Sequence, residues 1–300
     1  MTEQHLPHCI VCTSPTSTLL YPSTYQAGPE EAHRYFLANR EATAHGDIRR
    51  CGGCGFVFTS PQFEPDEYDA VYGRVAETSG TVSGPGAAAM RARCARLKRL
   101  VAEHADLCAP FLDFGCGSGD FLREVGSAAG LGFEVGPAGR RQGSGGATIV
   151  SGRWPDVAGS SAVPFGSQGF VTAFDVFEHL PCLERDIGLI HRVLQGRGHL
   201  FVTVPDVASL MARAAGARWN MFLLEHLWYF DARTLDRLLA RHGFEPLAHS
   251  AVPYDAAVAH VVKRLGDTVG RRLPRLPRWL KDLVLPVPAG VLFAAYRKRD

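Results

Sequence analysis

The sequence has no long apolar run and very little net charge. No window approaches the roughly 18 consecutive apolar residues that a membrane-spanning helix requires. The segment MTEQHLPHCI also lacks the basic stretch and apolar core of a secretory signal. The 32 basic and 30 acidic side chains leave a formal charge of +2, which indicates neither a nucleic acid nor a membrane as partner. We therefore expect a soluble, cytoplasmic globular protein.

Repeats and low-complexity tracts are absent as well. At 300 residues the chain can bury a full core, and one medium domain with a small appendage fits this length better than two equal domains. Because no secretory signal is found, the eight cysteines are expected to be reduced thiols or metal ligands rather than disulfides.

Four of the cysteines form two Cys-x-x-Cys pairs. Cys9 and Cys12 make the first pair; Cys51 and Cys54 make the second, within CGGCGF, whose small residues allow a tight turn around an ion. Two such pairs supply the four thiolates of a tetrahedral zinc site, which leaves no open position for chemistry. We predict a structural Zn²⁺ in a zinc-ribbon domain at residues 1–62, with an insertion in the 38 residues between the pairs. An incidental or redox-active arrangement is the alternative.

The composition changes after the second cysteine pair. Residues 63–86 are rich in proline, glycine and small polar residues, which predicts a linker. Apolar residues then recur at helical spacing, and we place the start of a second domain, residues 87–300, at this helix. Tyr68 and Tyr72 lie in the linker, where they either reach over a cleft as substrate contacts or pack the linker onto the domain.

The segment LDFGCGSGD, residues 112–120, places three glycines at every second position between a short buried strand and a helix. Without a Cβ, glycines let backbone N–H groups approach a ligand closely. A phosphate-binding loop would continue with Lys-Ser/Thr, but Gly119 is followed by Asp120. A dinucleotide fingerprint counted from Gly115 or Gly117 would need a further glycine at position 120 or 122, and neither position has one.

Two carboxylates flank this turn. Asp113 ends the strand before it, and Glu134 ends the next predicted strand, 15 residues beyond Gly119. A carboxylate at that place in a doubly wound fold accepts hydrogen bonds from a ribose diol. Together, an acidic first-strand tip, a GxGxG turn and an acidic second-strand tip resemble the class I S-adenosylmethionine-dependent methyltransferases. The resemblance implies an α/β fold with a doubly wound, seven-stranded, Rossmann-like sheet, and S-adenosylmethionine as cofactor.

The resemblance covers nearly the whole chain. TAFDVFEHL, residues 172–180, is similar to the family's fourth strand and following turn, and GHLFVTVPD, residues 198–206, to its fifth strand. GVLFAAY, residues 290–296, is similar to the antiparallel closing strand. Residues 216–244 resemble the subgroup with an N-terminal zinc ribbon, which includes C-methyltransferases of nucleotide-linked deoxysugars. In that segment Asp231 is placed to cap a helix that has a face of three leucines.

Two departures from the family pattern concern the cofactor. Gln168-Gly169 stands where the family usually has Phe-Asp, and Arg153-Trp154 stands where many members have an acidic residue beside the adenine. We expect Trp154 to line the adenine pocket, with weak cofactor binding as the alternative. The cofactor contacts implied by the resemblance are Asp113, Gly115, Cys116, Gly117, Gly119, Glu134, Trp154 and Asp175.

Methyl transfer to a hydroxyl or a carbon acid requires the removal of one proton. Glu178-His179 follows the fourth strand, at the edge where α/β sheets bind ligands, and Glu225-His226 lies in a loop expected to cover the same cleft. In the zinc-ribbon C-methyltransferases that the sequence resembles, matching histidines and a glutamate work near the substrate carbon. We therefore predict a His/Glu general base drawn from these four residues. Leu223 replaces a tyrosine of those enzymes.

Two other interpretations of these residues stay open. Each Glu-His pair could only tie a strand end or a loop to its neighbours, since histidines also satisfy backbone groups in closed clefts. Alternatively, Asp175, Glu178 and His179 could hold a divalent cation, as a similar patch does in some quinone O-methyltransferases.

The preferred hypothesis is methyl transfer to an oxygen or carbon of a small molecule, a nucleotide-linked sugar or another natural-product intermediate. The alternatives are an RNA methyltransferase whose zinc ribbon docks on RNA, and a scaffold that binds cofactor without turnover. The fourth strand ends in Asp175-Val-Phe-Glu178 rather than the Asn/Asp-Pro-Pro-aromatic motif of nucleobase N-methyltransferases, so we expect no nucleic-acid partner. The basic residues between Arg271 and Lys281 are expected to be a solvated face, or to suit an anionic small molecule.

Overall fold

A computed structural model describes residues 8–26, 29–36, 44–65, 67–68, 71, 85–135, 148–258, 262, 277, 280 and 283–300. Tyr72, most of the linker and the basic residues between Arg271 and Lys281 lie outside these residues. Within the described ranges, no helix combines the length and the apolar character that crossing a membrane requires.

The described part of the chain contains eleven strands and seven α-helices. Strands β1 to β11 span Ser17–Tyr21, Ile48–Cys51, Val57–Thr59, Phe111–Phe114, Gly130–Glu134, Thr148–Ser151, Gln168–Phe174, Leu194–Pro205, Trp228–Tyr229, Phe244–Ala257 and Val284–Lys298. Helices α1 to α7 span Pro29–Ala32, Pro85–Ala102, Asp120–Val125, Trp154–Val157, Leu183–Val193, Leu210–Ala215 and Ala232–Arg241. Short 3-10 turns occupy His33–Tyr35, Phe177–His179 and Gly216–Arg218.

The larger sheet has seven strands in the order β10-β11-β8-β7-β4-β5-β6. Strands β4 to β8 run parallel to one another, whereas β11 is antiparallel to both of its neighbours. The doubly wound seven-stranded α/β sheet predicted from the sequence is therefore confirmed. Chain order reverses at β4, with β5 on one side and β7 on the other, and such a point leaves a ligand-binding crevice at the carboxyl ends of the strands.

Both faces of this sheet are covered by helices. Successive residues of a strand point to opposite faces, so Leu112 and Phe114 of β4 pack in a core with α5 and α7, while Phe111 packs with α2 and α3 on the other side. This double burial explains why the central strands are almost continuously apolar, as parallel strands with two covered faces must be.

Helix α7 forms for local reasons. The side chain of Asp231 accepts a hydrogen bond from the backbone N–H of Thr234 at 2.7 Å, and the Thr234 hydroxyl oxygen in turn accepts from the N–H of Asp231. This reciprocal capping box starts the helix, and Leu235, Leu238 and Leu239 are fully buried along one face. The predicted cap and apolar face are confirmed.

The smaller sheet joins the N-terminal part of the chain to a distant segment. Its order is β1-β2-β3-β9, and all of its pairings are antiparallel. Three strands come from the first 60 residues, but β9, Trp228–Tyr229, begins two residues after His226. The domain boundaries at residues 62 and 86 stay predictions. The fourth strand of the N-terminal sheet comes from the segment assigned to the second domain.

Candidate active site

The glycine turn after β4 has the backbone shape that the sequence predicts. Gly115, Gly117 and Gly119 have φ values of +76°, +52° and +78°, which residues with a side chain rarely adopt. A Cβ on Gly115 would lie 2.5 Å from the Cγ2 of Val176, so this turn is packed against the segment that follows β7. A Cβ on Gly117 would meet nothing within 4 Å, which leaves open space above the middle of the turn.

The Glu134 side chain is hydrogen-bonded to this turn. One carboxylate oxygen accepts a hydrogen bond from the backbone N–H of Gly117 at 2.7 Å, and the other accepts from the N–H of Val135 at 3.1 Å. Burial raises the pKa of Glu134, and the two N–H donors partly oppose that change. The turn and the acidic tip of β5 therefore form one unit, and the remaining lone pairs of the carboxylate are available to hydroxyl donors.

Asp113 and Cys116 support the turn from within the protein. Asp113 is buried and accepts a hydrogen bond from the Thr172 hydroxyl at 2.7 Å, and burial raises the pKa of its carboxyl to about 7. Cys116 is buried, and burial raises the pKa of its thiol. A Cβ on Gly132 would lie 2.6 Å from the Cys116 sulfur, so this glycine makes room for the thiol.

Trp154 lies beside the tips of β4 and β5. Its ring centroid is 4.9 Å from that of Phe114 and 5.0 Å from that of Phe133, and its indole N–H donates to the backbone carbonyl of Asp186 at 3.4 Å. Trp154 also lines a cavity together with Val135, which directly follows Glu134. Trp154 is 3% exposed, so only a small part of its ring faces this cavity.

Asp175 is held in an unusual backbone conformation at the end of β7. Its φ is +56°, and its carboxylate accepts hydrogen bonds from the Thr203 hydroxyl at 2.8 Å and from the Arg93 guanidinium at 2.5 Å. Arg93 is buried and comes from helix α2. Sequence reasoning missed Arg93 and Thr203, because nothing in the run of arginines in α2 distinguishes the one that turns inward.

Two histidines meet at the carboxyl edge of the sheet. His179 ends the turn after β7, His226 precedes β9, and their ring centroids lie 4.6 Å apart at an interplanar angle of 82°. The Nδ1 of His179 is 3.1 Å from the carbonyl oxygen of Glu225, and the Nδ1 of His226 is 2.9 Å from that of Met221. A carbonyl only accepts, so each Nδ1 carries a proton, and in the neutral ring Nε2 keeps its lone pair.

The two glutamates beside these histidines are completely buried. Glu178 is 1% exposed and Glu225 0%. Burial raises the pKa of Glu178 well above its ordinary value, and the nearby charge of Asp175 acts in the same direction. One carboxylate oxygen of Glu178 has no hydrogen-bond partner among the described residues. The structure thus brings both predicted Glu-His pairs to one place.

This cluster also has the donor set of a metal site. One ligand atom each of Glu178, His179 and His226 lies within 4.8 Å of the other two. Two imidazoles and a carboxylate suit a first-row transition metal more than Mg²⁺. The sequence hypothesis placed a cation on Asp175, Glu178 and His179, but the Asp175 carboxylate is occupied by Arg93 and Thr203 and His226 takes its place in the cluster.

The structure describes one of the two predicted substrate contacts, Tyr68. Tyr68 is 1% exposed, and its hydroxyl donates a hydrogen bond to the backbone carbonyl of Glu225. It therefore packs the linker onto the region of the two histidines. Tyr72 lies outside the described residues.

The four N-terminal cysteines fit a zinc ion. The sulfur atoms of Cys9 and Cys54 are 3.7 Å apart, those of Cys12 and Cys51 are 3.5 Å apart, and all four lie within 4.8 Å of one another. Four thiolates at about 2.3 Å from a tetrahedral Zn²⁺ are separated by about 3.8 Å. Backbone N–H groups also point at two of the sulfurs, from Val11 to Cys9 at 3.4 Å and from Gly53 to Cys51 at 3.3 Å.

The comparisons with known proteins identify the family. A family model described as a methyltransferase domain matches residues 87–249, which is more than half of the chain. The chain therefore belongs to this family of methyltransferase domains. No curated protein matches it.

Several solved structures are similar to this chain at low sequence identity. One is an S-adenosylmethionine-dependent methyltransferase from Archaeoglobus fulgidus, with 18% identity, a TM-score of 0.49, and coverage of 70% of this chain and 94% of that one. Another, from Thermotoga maritima, has 16% identity, a TM-score of 0.48, and coverage of 71% and 91%. A third is the 1,6-didemethyltoxoflavin-N1-methyltransferase of Burkholderia thailandensis with bound S-adenosylhomocysteine, at 18% identity, a TM-score of 0.45, and coverage of 82% and 96%.

Proposed function

We propose that the protein transfers the methyl group of S-adenosylmethionine to an oxygen or an acidic carbon of a small molecule, and that the pair His179 and His226 accepts the proton released. The observation that carries this proposal is the meeting of the two imidazoles beside Glu178, with both Nδ1 atoms bound to backbone carbonyls. With Nδ1 protonated, Nε2 is the basic nitrogen of each ring, and both rings lie at the edge of the sheet that carries the glycine turn.

The cofactor site follows from the turn and its carboxylates. We assign the adenosyl ribose to the carboxylate of Glu134 and the adenine to the cavity lined by Trp154, while the turn of Gly115, Gly117 and Gly119 approaches the ligand with its backbone. Asp113 and Cys116 support the turn from the core, and Asp175 borders the site beside β7. When bound, S-adenosylmethionine supplies a methyl group already activated on a sulfonium.

The cofactor turn and the histidine pair are close neighbours. Val176 packs against Gly115, and the turn that contains Glu178 and His179 begins at the next residue. An acceptor placed between the two would have its nucleophilic atom on the cofactor side and its proton on the histidine side. Placement of this kind is the main requirement of methyl transfer, because the methyl donor needs no further activation.

Buried Glu178 can favour proton uptake by the imidazoles. Burial in an apolar environment makes ionisation of a carboxyl group unfavourable. A neighbouring imidazolium offsets that free-energy cost, because its charge is opposite to that of the carboxylate formed. Proton acceptance by a histidine and ionisation of Glu178 would therefore support each other. Glu225 contributes through its backbone, since its carbonyl orients the His179 ring.

The acceptor class is proposed from the resemblance to zinc-ribbon methyltransferases of nucleotide-linked deoxysugars. A nucleotide-linked sugar or a related natural-product intermediate has the hydroxyl groups and the acidic carbons beside a ketone that a histidine base can deprotonate. A metal-assisted route through Glu178, His179 and His226 is the competing mechanism, because the same three side chains have the required ligand atoms.

The test begins with calorimetric titration of S-adenosylhomocysteine, which we expect to bind the wild type, His179→Ala and His226→Ala alike. Radiolabelled S-adenosylmethionine is then offered with nucleotide-linked keto-deoxysugars, hydroxylated aromatic compounds, or structured RNA. We expect transfer in the small-molecule arms only, with kcat at least about 100-fold lower in both variants. His249→Ala is the control, since His249 lies on β10 and pairs with Asp236 at 2.8 Å.

Three results would contradict parts of the proposal. Absence of S-adenosylhomocysteine binding would favour a scaffold without turnover. Transfer to RNA alone would favour the RNA methyltransferase. Wild-type kcat in both histidine variants would remove the base assignment while leaving the cofactor site in place.

A further inference from the structure

The third strand of the N-terminal sheet is bonded to the segment that carries His226. Strand β3 pairs with β9 through Val57 opposite Tyr229 and Phe58 opposite Trp228. The pairing continues beyond these residues, because the backbone N–H of Thr59 donates to the carbonyl of Leu227 at 2.9 Å. Strand β3 begins three residues after Cys54, so a short segment connects the predicted zinc site with the strand that pairs with the histidine loop.

Three consecutive carbonyls of that loop accept hydrogen bonds from the N-terminal part of the chain. The Tyr68 hydroxyl donates to the carbonyl of Glu225, the Thr59 hydroxyl donates to that of His226 at 2.9 Å, and the Thr59 N–H donates to that of Leu227 at 2.9 Å. On the opposite side, the N–H of Leu227 donates to the carbonyl of Glu178 at 2.7 Å. The backbone of residues 225–227 is thus held between two partners.

These bonds lie in the protein interior. Thr59, Tyr68, Glu225 and His226 are all buried. The carbonyl of His226 also accepts from the Tyr229 hydroxyl at 3.0 Å, so removal of the Thr59 hydroxyl would change its set of donors without leaving it unpaired. The carbonyl of Glu225 also accepts a hydrogen bond from the Nδ1 of His179. A shift of this carbonyl would therefore change the orientation of the His179 ring.

The zinc site is packed against the same segment. Phe56 follows Cys54 by two residues, and its ring centroid lies 5.1 Å from that of Phe230 and 6.2 Å from that of Trp228. Helix α7 contacts both cysteine pairs, since Arg233 donates to the carbonyl of Cys54 at 3.1 Å and Arg241 donates to that of Ile10. The fold of the four-cysteine unit therefore determines where β3 lies.

We propose that Thr59 and Tyr68 are positioning residues for His226 and His179, so that the zinc-binding unit serves as a wall of the active site. This inference rests on the proposed function for its catalytic meaning. Thr59 binds the two carbonyls that follow the His226 Cα, and Tyr68 shares with His179 the carbonyl of Glu225, which precedes it. The N-terminal unit thereby has a role within the reaction that requires no nucleic acid.

The test uses full-length, zinc-loaded protein and four variants. Thr59→Val removes the hydroxyl and keeps the backbone N–H, Thr59→Ser restores a hydroxyl, and Tyr68→Phe removes one hydroxyl without touching the N-terminal sheet. Thr18→Val is the matched control, because Thr18 is exposed on β1. Zinc content and affinity for S-adenosylhomocysteine are measured first, and we expect both to stay within about twofold of the wild type, since none of these side chains is a ligand or a cofactor contact.

The decisive readout is nuclear magnetic resonance of the side-chain nitrogens of His179 and His226, assigned with the two histidine-to-alanine variants. We expect Thr59→Val to shift the signals of His226, Tyr68→Phe to shift those of His179, and Thr59→Ser and Thr18→Val to leave both near wild type. With an identified acceptor, kcat should fall about tenfold in Thr59→Val and Tyr68→Phe at unchanged KM, and Thr59→Ser should recover most of it.

Unchanged histidine signals in both Thr59→Val and Tyr68→Phe would overturn the positioning role, whatever the turnover. If Thr59→Val does not fold, Tyr68→Phe decides alone, and wild-type signals there have the same meaning. The spectra require no methyl transfer, so failure of this inference is distinguishable from failure of the proposed function, which depends on the activity of His179→Ala and His226→Ala.

Discussion

Glu134 accepts a hydrogen bond from the backbone N–H of Gly117, with 2.7 Å between the carboxylate oxygen and the nitrogen. The contact joins the tip of one parallel strand to the turn that follows its neighbour. It places a carboxylate beside the open space above Gly117, and we propose that a ribose diol donates to it there.

For Glu134→Gln we expect S-adenosylhomocysteine to bind at least about tenfold more weakly, because hydrogen bonds to a charged acceptor contribute about 1.5–3 kcal/mol. The measurement is isothermal titration calorimetry. Glu245→Gln is the control, since Glu245 of β10 pairs with Arg297 of β11, and the affinity of this variant should equal that of the wild type. Equal affinities for all three proteins would remove Glu134 from the cofactor site.

Asp113 makes stability depend on pH. Burial raises the pKa of its carboxyl from 3.8 to about 7, so between these values the folded protein holds a proton that the unfolded chain releases. The favourable contribution is complete below the lower pKa and is lost as pH rises through the higher one. We expect the free energy of unfolding of the wild type, relative to Asp113→Asn, to fall by about 3 kcal/mol between pH 5 and pH 8.

Urea denaturation at several pH values measures this difference. Asparagine retains an oxygen that accepts from the Thr172 hydroxyl, so the substitution removes the titration and keeps the contact. Asp300→Asn, at the exposed end of the chain, should show no such divergence from the wild type. A pH-independent difference for Asp113→Asn would mean that Asp113 is ionised in the folded protein across this range.

Arg93 stabilises the end of β7 through Asp175. For Arg93→Met we expect a loss of about 2 kcal/mol in the free energy of unfolding, below the 3–5 kcal/mol of a fully buried pair, because the Asp175 side chain is 44% exposed and partly solvated. The exposed Arg91 provides the control Arg91→Met, which should stay within about 0.5 kcal/mol of the wild type. If the two variants are equally stable, the ion pair contributes nothing to the fold.

Metal analysis tests the cysteine site and the histidine cluster together. We expect one zinc per chain in purified protein, and a loss of that zinc in Cys12→Ser, because a closed site binds weakly once one of its four thiolates is removed. Cys108→Ser should retain it, since Cys108 is exposed and lies outside the cluster. A second metal that disappears in His226→Ala would assign Glu178, His179 and His226 as metal ligands instead of a base.

Part of the candidate site is encoded in short segments. The alternate glycines, the acidic tips at Asp113 and Glu134 and the Asp231 cap were all predictable, because each depends on the backbone within a few residues. The two Cys-x-x-Cys pairs were predictable for the same reason, since two residues between cysteines allow both sulfurs to face one ion. In the described part of the chain, all of these residues lie where local spacing places them.

The rest depends on contacts between distant segments. Glu178-His179 and Glu225-His226 were each visible as pairs, but only the folded chain shows that His179 and His226 touch, that Arg93 turns inward to Asp175, and that Thr59 holds the carbonyl of His226. The sequence by itself determined the glycine turn and the thiolate set, because backbone conformation and short spacings are local properties, and its resemblance to class I methyltransferases implied the class of sheet. The tertiary structure alone decided which base candidates meet and which strand completes the N-terminal sheet, because those choices are made by packing among residues far apart in the chain.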